Sequence, residues 1–147
     1  MGLFLPGQVV TVILRLSFGL MVATGLAFVG FFAGWFAAPP GPVLPPSMLI
    51  GGAGLGAAAG GLMAWYKPES TRSVKWITIV LVLAGGIAGA WVGWLLGPVF
   101  YPEGLQRPGG TIYNAPPFYV SILSAGIGAN TLAVMFYSFR LWRFREV

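Results

Sequence analysis

The stretch WITIVLVLAGGIAGAWVGWLLG, residues 76–97, decides the fold. It contains no charged side chain and no proline. It is also long enough to cross the hydrocarbon core of a bilayer, which takes about 20 helical residues. Within it Gly85, Gly89, Gly93 and Gly97 recur at every fourth position and therefore share one helix face. In lipid no hydrophobic force pairs helices. Close van der Waals contact along faces of small residues substitutes for it.

Three further apolar segments have similar length: residues 16–38, with an apolar lead-in from Val9, residues 47–66 and residues 118–139. Prolines cluster between them, at 39–46, 98–108 and 116–117, and the segments themselves are read as proline-free. The expected fold is an all-α integral membrane protein, a single membrane domain over residues 1–147. Its four transmembrane helices carry glycine/alanine packing stripes and are joined by short Pro/Gly-rich loops. The first apolar run is too long for a signal peptide and lacks a small-x-small cleavage site in register, so it is read as a retained helix.

Composition points the same way. The chain is 57% hydrophobic and 7% charged, with a mean hydropathy of +0.85. A soluble domain needs roughly a quarter of its residues charged to coat its surface. Eight basic residues against three glutamates give a net charge of +5, but the basic residues flank apolar spans, which is a topology signal. No nucleic-acid partner is expected.

Arg15 stands at the start of the first helix. Lys67, Arg72 and Lys75 lie between the second and third, and Arg140, Arg143 and Arg145 lie in the tail. The segment 37–46 is uncharged, and 100–117 holds only Glu103 and Arg107. Four helices place the basic sites on one side. The expected location is the cytoplasmic (inner) membrane with both termini cytoplasmic. Aromatic residues fall where interfacial belts belong: Trp65, Tyr66, Trp76, Tyr137 and Trp142 at the inner boundary, Trp35, Phe100, Tyr101, Phe118 and Tyr119 at the outer.

The second segment carries Gly52, Gly56 and Gly60, with Ala53, Ala57 and Gly61 as a second row beside them. The first offers Gly30 and Gly34, and the fourth Ala125, Ala129 and Ala133. A short connection between the second and third segments suits a tight antiparallel hairpin of those two helices. The stripes are either spent inside one chain, or one of them docks a helix of another subunit. The run of residues 51–61 resembles the glycine-rich helix of rotor-ring subunits from rotary ATP synthases. That family carries its ion on a carboxylate within the partner helix. This chain has no Asp, and Glu69, Glu103 and Glu146 all fall in loops or the tail. The resemblance therefore implies shared packing and no ion carriage.

Chemistry is hard to find. With no Cys, His or Asp, disulfides, thiolate or imidazole metal ligation and Cys nucleophiles are closed. Proton and ion pathways normally show ionisable residues inside the spans, and here only Arg15 qualifies, at a helix end where it snorkels to headgroups or meets a carboxylate of another chain. There is neither a dinucleotide fingerprint nor a P-loop. Asn130 is the most polar side chain within a span. It suits an interhelical hydrogen bond, to Thr24 or a backbone carbonyl, with a pore-lining amide or an axial oxygen to a pigment magnesium as alternatives.

By elimination the expected function is a non-catalytic accessory subunit of a larger membrane complex of respiratory or photosynthetic electron transfer, its partners being other transmembrane subunits and membrane lipids. No cofactor is expected through side-chain ligation, and lipid, quinone or pigment contact would be by packing. The alternative is a self-assembling small channel or transporter.

Overall fold

A computed structural model describes residues 6–39, 46–100 and 118–143. They form four helices: α1 (Pro6–Ala37), α2 (Pro46–Trp65), α3 (Arg72–Phe100) and α4 (Phe118–Arg143). Four spans, Val9–Ala37, Pro46–Trp65, Arg72–Phe100 and Phe118–Arg140, are long and apolar enough to cross a membrane. That is the signature of a membrane protein.

Local chemistry sets the helix ends. Both α1 and α2 begin on a proline, whose fixed φ fits the first turn and whose missing N–H would be unpaired there anyway. α3 is opened by Thr71, whose carbonyl accepts the Lys75 N–H at 3.1 Å. The turn before it is closed by the Ser70 N–H donating to the Lys67 carbonyl at 3.1 Å.

Two boundaries differ from the sequence reading. Nothing between Pro6 and Arg15 breaks a helix, so α1 starts well before residue 16 and Arg15 lies inside it. At 32 residues α1 measures about 48 Å, which exceeds the bilayer core. The excess goes into tilt or into turns at headgroup level. α3 runs through Pro98 to Phe100 and so does contain a proline. Pro98 donates no hydrogen bond to the carbonyl one turn back, but Gly97 before it has no Cβ for the ring to press on.

The helices run up and down in the order α1, α2, α3, α4 around a rhombus. Each touches its two neighbours, and α2 also meets α4 across the short diagonal. The interior is lined by alanines: Ala23, Ala27, Ala53, Ala57, Ala90, Ala125, Ala129 and Ala133 are wholly buried. Only a few large side chains, among them Trp65, Phe31, Ile50 and Val82, fill the remaining space. Bulky apolar residues point outward instead, with Phe36 86% and Val99 73% exposed.

The closest approaches pair α1 with α2 and α3 with α4. A Cβ at Gly30 would strike the Gly52 carbonyl, one at Gly34 the Met48 carbonyl, and one at Gly56 the Leu26 carbonyl. At Gly60 it would lie 2.5 Å from the Ala23 Cα. Each turn backward along α1 thus meets a turn forward along α2. On the other side Gly85 abuts Gly128, Gly89 the Ser124 carbonyl and Gly93 the Val120 carbonyl. The hairpin expected of α2 and α3 is accordingly not the tight one. Their seam is made at Gly54 against Ile87 and at Gly86 against the Gly54 carbonyl, at a different face of α2 from the Gly52–Gly60 row.

Candidate functional site

Of the buried polar residues Thr78, Ser121 and Asn130, the last anchors a network on the α2–α4 diagonal. Asn130, midway along α4, is fully buried. Its Nδ2 donates to the Gly126 carbonyl one turn back, at 2.8 Å, and its Oδ1 accepts the indole Nε1–H of Trp65 at 2.8 Å. The latter is the interhelical bond the sequence suggested, made to Trp65 and not to Thr24. Thr24 packs instead over Gly126, where any Cβ would meet its hydroxyl. α1 reaches the amide because Gly19 has no side chain: a Cβ there would fall on the Asn130 oxygen.

From Trp65 the network runs toward the helix ends. The Tyr137 hydroxyl donates to the Trp65 carbonyl at 2.7 Å, supplying a partner to a C-terminal carbonyl that α2 itself leaves unpaired. The two rings stack with centroids 5.5 Å apart and planes 29° off parallel. Above the Tyr137 ring, at 5.5 Å from its centroid, stands the Lys67 Nζ, within cation–π range. Burial pushes the Lys67 ammonium below the ordinary lysine pKa. Arg15 and Arg140 add to this and Glu69 opposes it. A separate bond, from the Ser121 hydroxyl to the Ala90 carbonyl at 2.8 Å, ties α4 to α3.

Among the described residues every buried side-chain nitrogen or oxygen has a hydrogen-bond partner. Nor is there, among the described residues, a group of three or more His, Cys, Asp or Glu able to hold a metal ion. Chemically the arrangement is a structural clasp, since each polar atom is already engaged by another. Outside it, an open groove runs between α1 and α2, lined by Gly30, Gly34, Gly51, Gly52, Leu55 and Gly56 and almost wholly apolar.

The residues singled out from sequence scatter among these features. Gly52, Gly56 and Gly60 face α1, and Gly85, Gly89 and Gly93 face α4. Gly97 is buried. Arg15, Lys67, Lys75 and Arg140 are half-buried, and Arg72 is exposed as the first residue of α3. Arg143 closes α4, while Arg145, Glu103, Arg107, Tyr101 and Glu146 lie outside the described residues. Two of the aromatics assigned to an inner belt turn inward: Trp65 is 1% exposed and Tyr137 9%.

Comparison with known protein families, with curated proteins and with solved structures gives no match.

Proposed function

We propose that this chain is a non-catalytic accessory subunit of a larger multi-subunit membrane complex, of respiratory or photosynthetic electron transfer. There it fills lipid-facing space and stabilises neighbouring helices. The observation that carries this reading is the contrast between inside and outside. Inside, the polar atoms and the closest backbone approaches are spent on one another, around a fully buried Asn130. Outside lie large apolar side chains and the glycine-lined groove between α1 and α2. Such a groove admits a neighbouring helix backbone or a hydrocarbon chain. The exposed aromatics, among them Trp76 and Trp91, offer flat faces to quinone or pigment rings, which is what favours an electron-transfer assembly.

In this reading the protein lies in the cytoplasmic membrane with both termini inside, because Arg15, Lys67, Lys75 and Arg140 gather at one end of the four helices. A C-terminal reporter active only outside the cytoplasm would reverse that orientation.

The test of the function is gentle detergent extraction of the native membrane, native-gel separation and mass spectrometry of what comigrates. Cytochromes, quinone-reactive subunits or pigment proteins in fixed ratio to this chain are the expected result. A chain that runs alone or as a homo-oligomer overturns the proposal.

A further inference from the structure

The second half of the chain repeats the first. A shift of 59 residues lays GFFAGWFAAP, residues 30–39, on GAWVGWLLGP, residues 89–98, with both glycines, Trp35 and Pro39 meeting their like. A shift of 72 lays IGGAGLGAAAGGLM, residues 50–63, on ILSAGIGANTLAVM, residues 122–135. There Ile50, Ala53, Gly54, Gly56, Ala57 and Met63 meet their like. The first match covers the C-terminal turns of α1 and α3, the second α2 and α4. The shifts differ by 13 residues (72 less 59), and the difference falls in the longer connection between α3 and α4.

Small residues recur in any close-packed pair of membrane helices, so glycine and alanine alone do not make a repeat. The backbone contacts agree independently. Gly30 faces the Gly52 carbonyl, Gly34 that of Met48 and Gly56 that of Leu26. Their counterparts Gly89, Gly93 and Gly128 face the carbonyls of Ser124, Val120 and Gly85, which the same two shifts match one for one. Exposure repeats too, with Leu55, Ala59 and Met63 turned outward like Ile127, Thr131 and Met135. Trp65 and its counterpart Tyr137 stack on each other where α2 meets α4. Residues related by a two-fold axis meet their own counterparts only beside that axis.

We infer that this chain is a tandem of two copies of one helical hairpin, α1–α2 and α3–α4. A pseudo-two-fold axis parallel to the helices, between α2 and α4, relates them. The copies stand about one turn out of step. Gly54 packs on Ile87, whose counterpart is Phe28, whereas Gly126, the counterpart of Gly54, packs on Thr24, four residues before Phe28. Asn130 stands where the first copy has Ala58, so the buried amide that bonds Trp65 belongs to one copy alone. The hairpins share a scaffold and differ at the clasp between them. This holds whether or not the chain joins a complex.

The experiment is double electron–electron resonance on the full chain in lipid nanodiscs, with spin labels on introduced cysteines. The chain has no native cysteine to interfere. Phe36→Cys with Met63→Cys spans the first hairpin and Leu95→Cys with Met135→Cys the second; all four sites are exposed. These two distance distributions should coincide. The cross pair Phe36→Cys with Met135→Cys should give a longer distance than Met63→Cys with Leu95→Cys, by roughly one turn's rise, about 5 Å. Met21→Cys with Met48→Cys, against Val80→Cys with Val120→Cys, makes the same hairpin comparison should a first pair fail to fold. Matching hairpin pairs with equal cross pairs would support the repeat in exact two-fold form. The inference is overturned if the two hairpin distances differ by a turn's rise or more, whatever the cross pairs give.

Discussion

The indole of Trp65, the last residue of α2, donates to the side-chain oxygen of Asn130, midway along α4, and a bare Gly19 on α1 closes over the pair. Three helices therefore depend on one amide that never meets solvent. In a lipid-embedded protein such a bond gives modest energy but strong direction, because few other groups nearby could replace it. Its Nδ2 is held at the same time by the Gly126 carbonyl, which fixes the amide's orientation.

Trp65→Phe removes the donor while keeping an aromatic ring of related shape. Asn130 then keeps a buried oxygen without its partner, and stability should fall by about 1–2 kcal/mol. Asn130→Leu should cost a similar amount. The double variant should cost distinctly less than the two together, since both delete one bond. Denaturation titrations in mixed micelles measure all three; additive losses would show that the bond contributes nothing.

Glycines of similar appearance should respond in opposite ways. Gly60→Ala drives a methyl to 2.5 Å from the Ala23 Cα, and Gly89→Leu drives a side chain into the Ser124 backbone, so both should lower the thermal midpoint sharply. Gly51 and Gly25 have nothing within 4 Å of an added Cβ. Alanine at those two sites should be neutral, or stabilising by up to about 1 kcal/mol through helix propensity. A melt unchanged by Gly89→Leu would contradict the close α3–α4 approach.

Stability should also rise with pH across the lysine range. Burial, then Arg15 and Arg140, lower the Lys67 pKa in the folded chain, against the opposing pull of Glu69. Folding thus disfavours the charged form. Above the unfolded pKa of about 10.4 the side chain is neutral in both states and the cost vanishes. As pH falls from there the cost grows, and it is complete below the folded pKa. Thermal midpoints measured upward from neutral pH should climb, and Lys67→Met should flatten that slope. An equal slope in the variant would assign the effect to other groups.

How much of this was legible beforehand follows from what a lipid-embedded sequence encodes. The four helices appear as uncharged runs, and Pro116–Pro117 marks the start of α4 at Phe118 without ambiguity. Helix phase is a different matter. These helices are apolar all round, so no polar face reveals which side turns inward. Spacing of four places Gly85, Gly89 and Gly93 on one face of α3 but says nothing of which helix that face meets, which proved to be α4. The inward turn of Trp65 and Tyr137 was hidden for the same reason, as an aromatic at a helix end suits a headgroup belt and a buried clasp equally well. Asn130 could be picked out because an amide in a span is costly; its partner could not, because the pairing spans 65 residues.

The pairing of sequence neighbours into the two tight seams bears on how the chain is made. Gly34 and Met48 are brought together by a single short connection, so the first pair of helices finds its partner face locally, before α3 has been synthesised. In the second pair, α3 and α4 are also consecutive helices, with 17 residues between Phe100 and Phe118. The contacts of α4 with α1 and α2, among them the Trp65–Asn130 and Trp65–Tyr137 bonds across 65 and 72 residues, must wait for the whole chain. Such an arrangement suits assembly as two hairpins emerging in turn, which then meet where α4 packs on α1 and α2, with Trp65 at that junction.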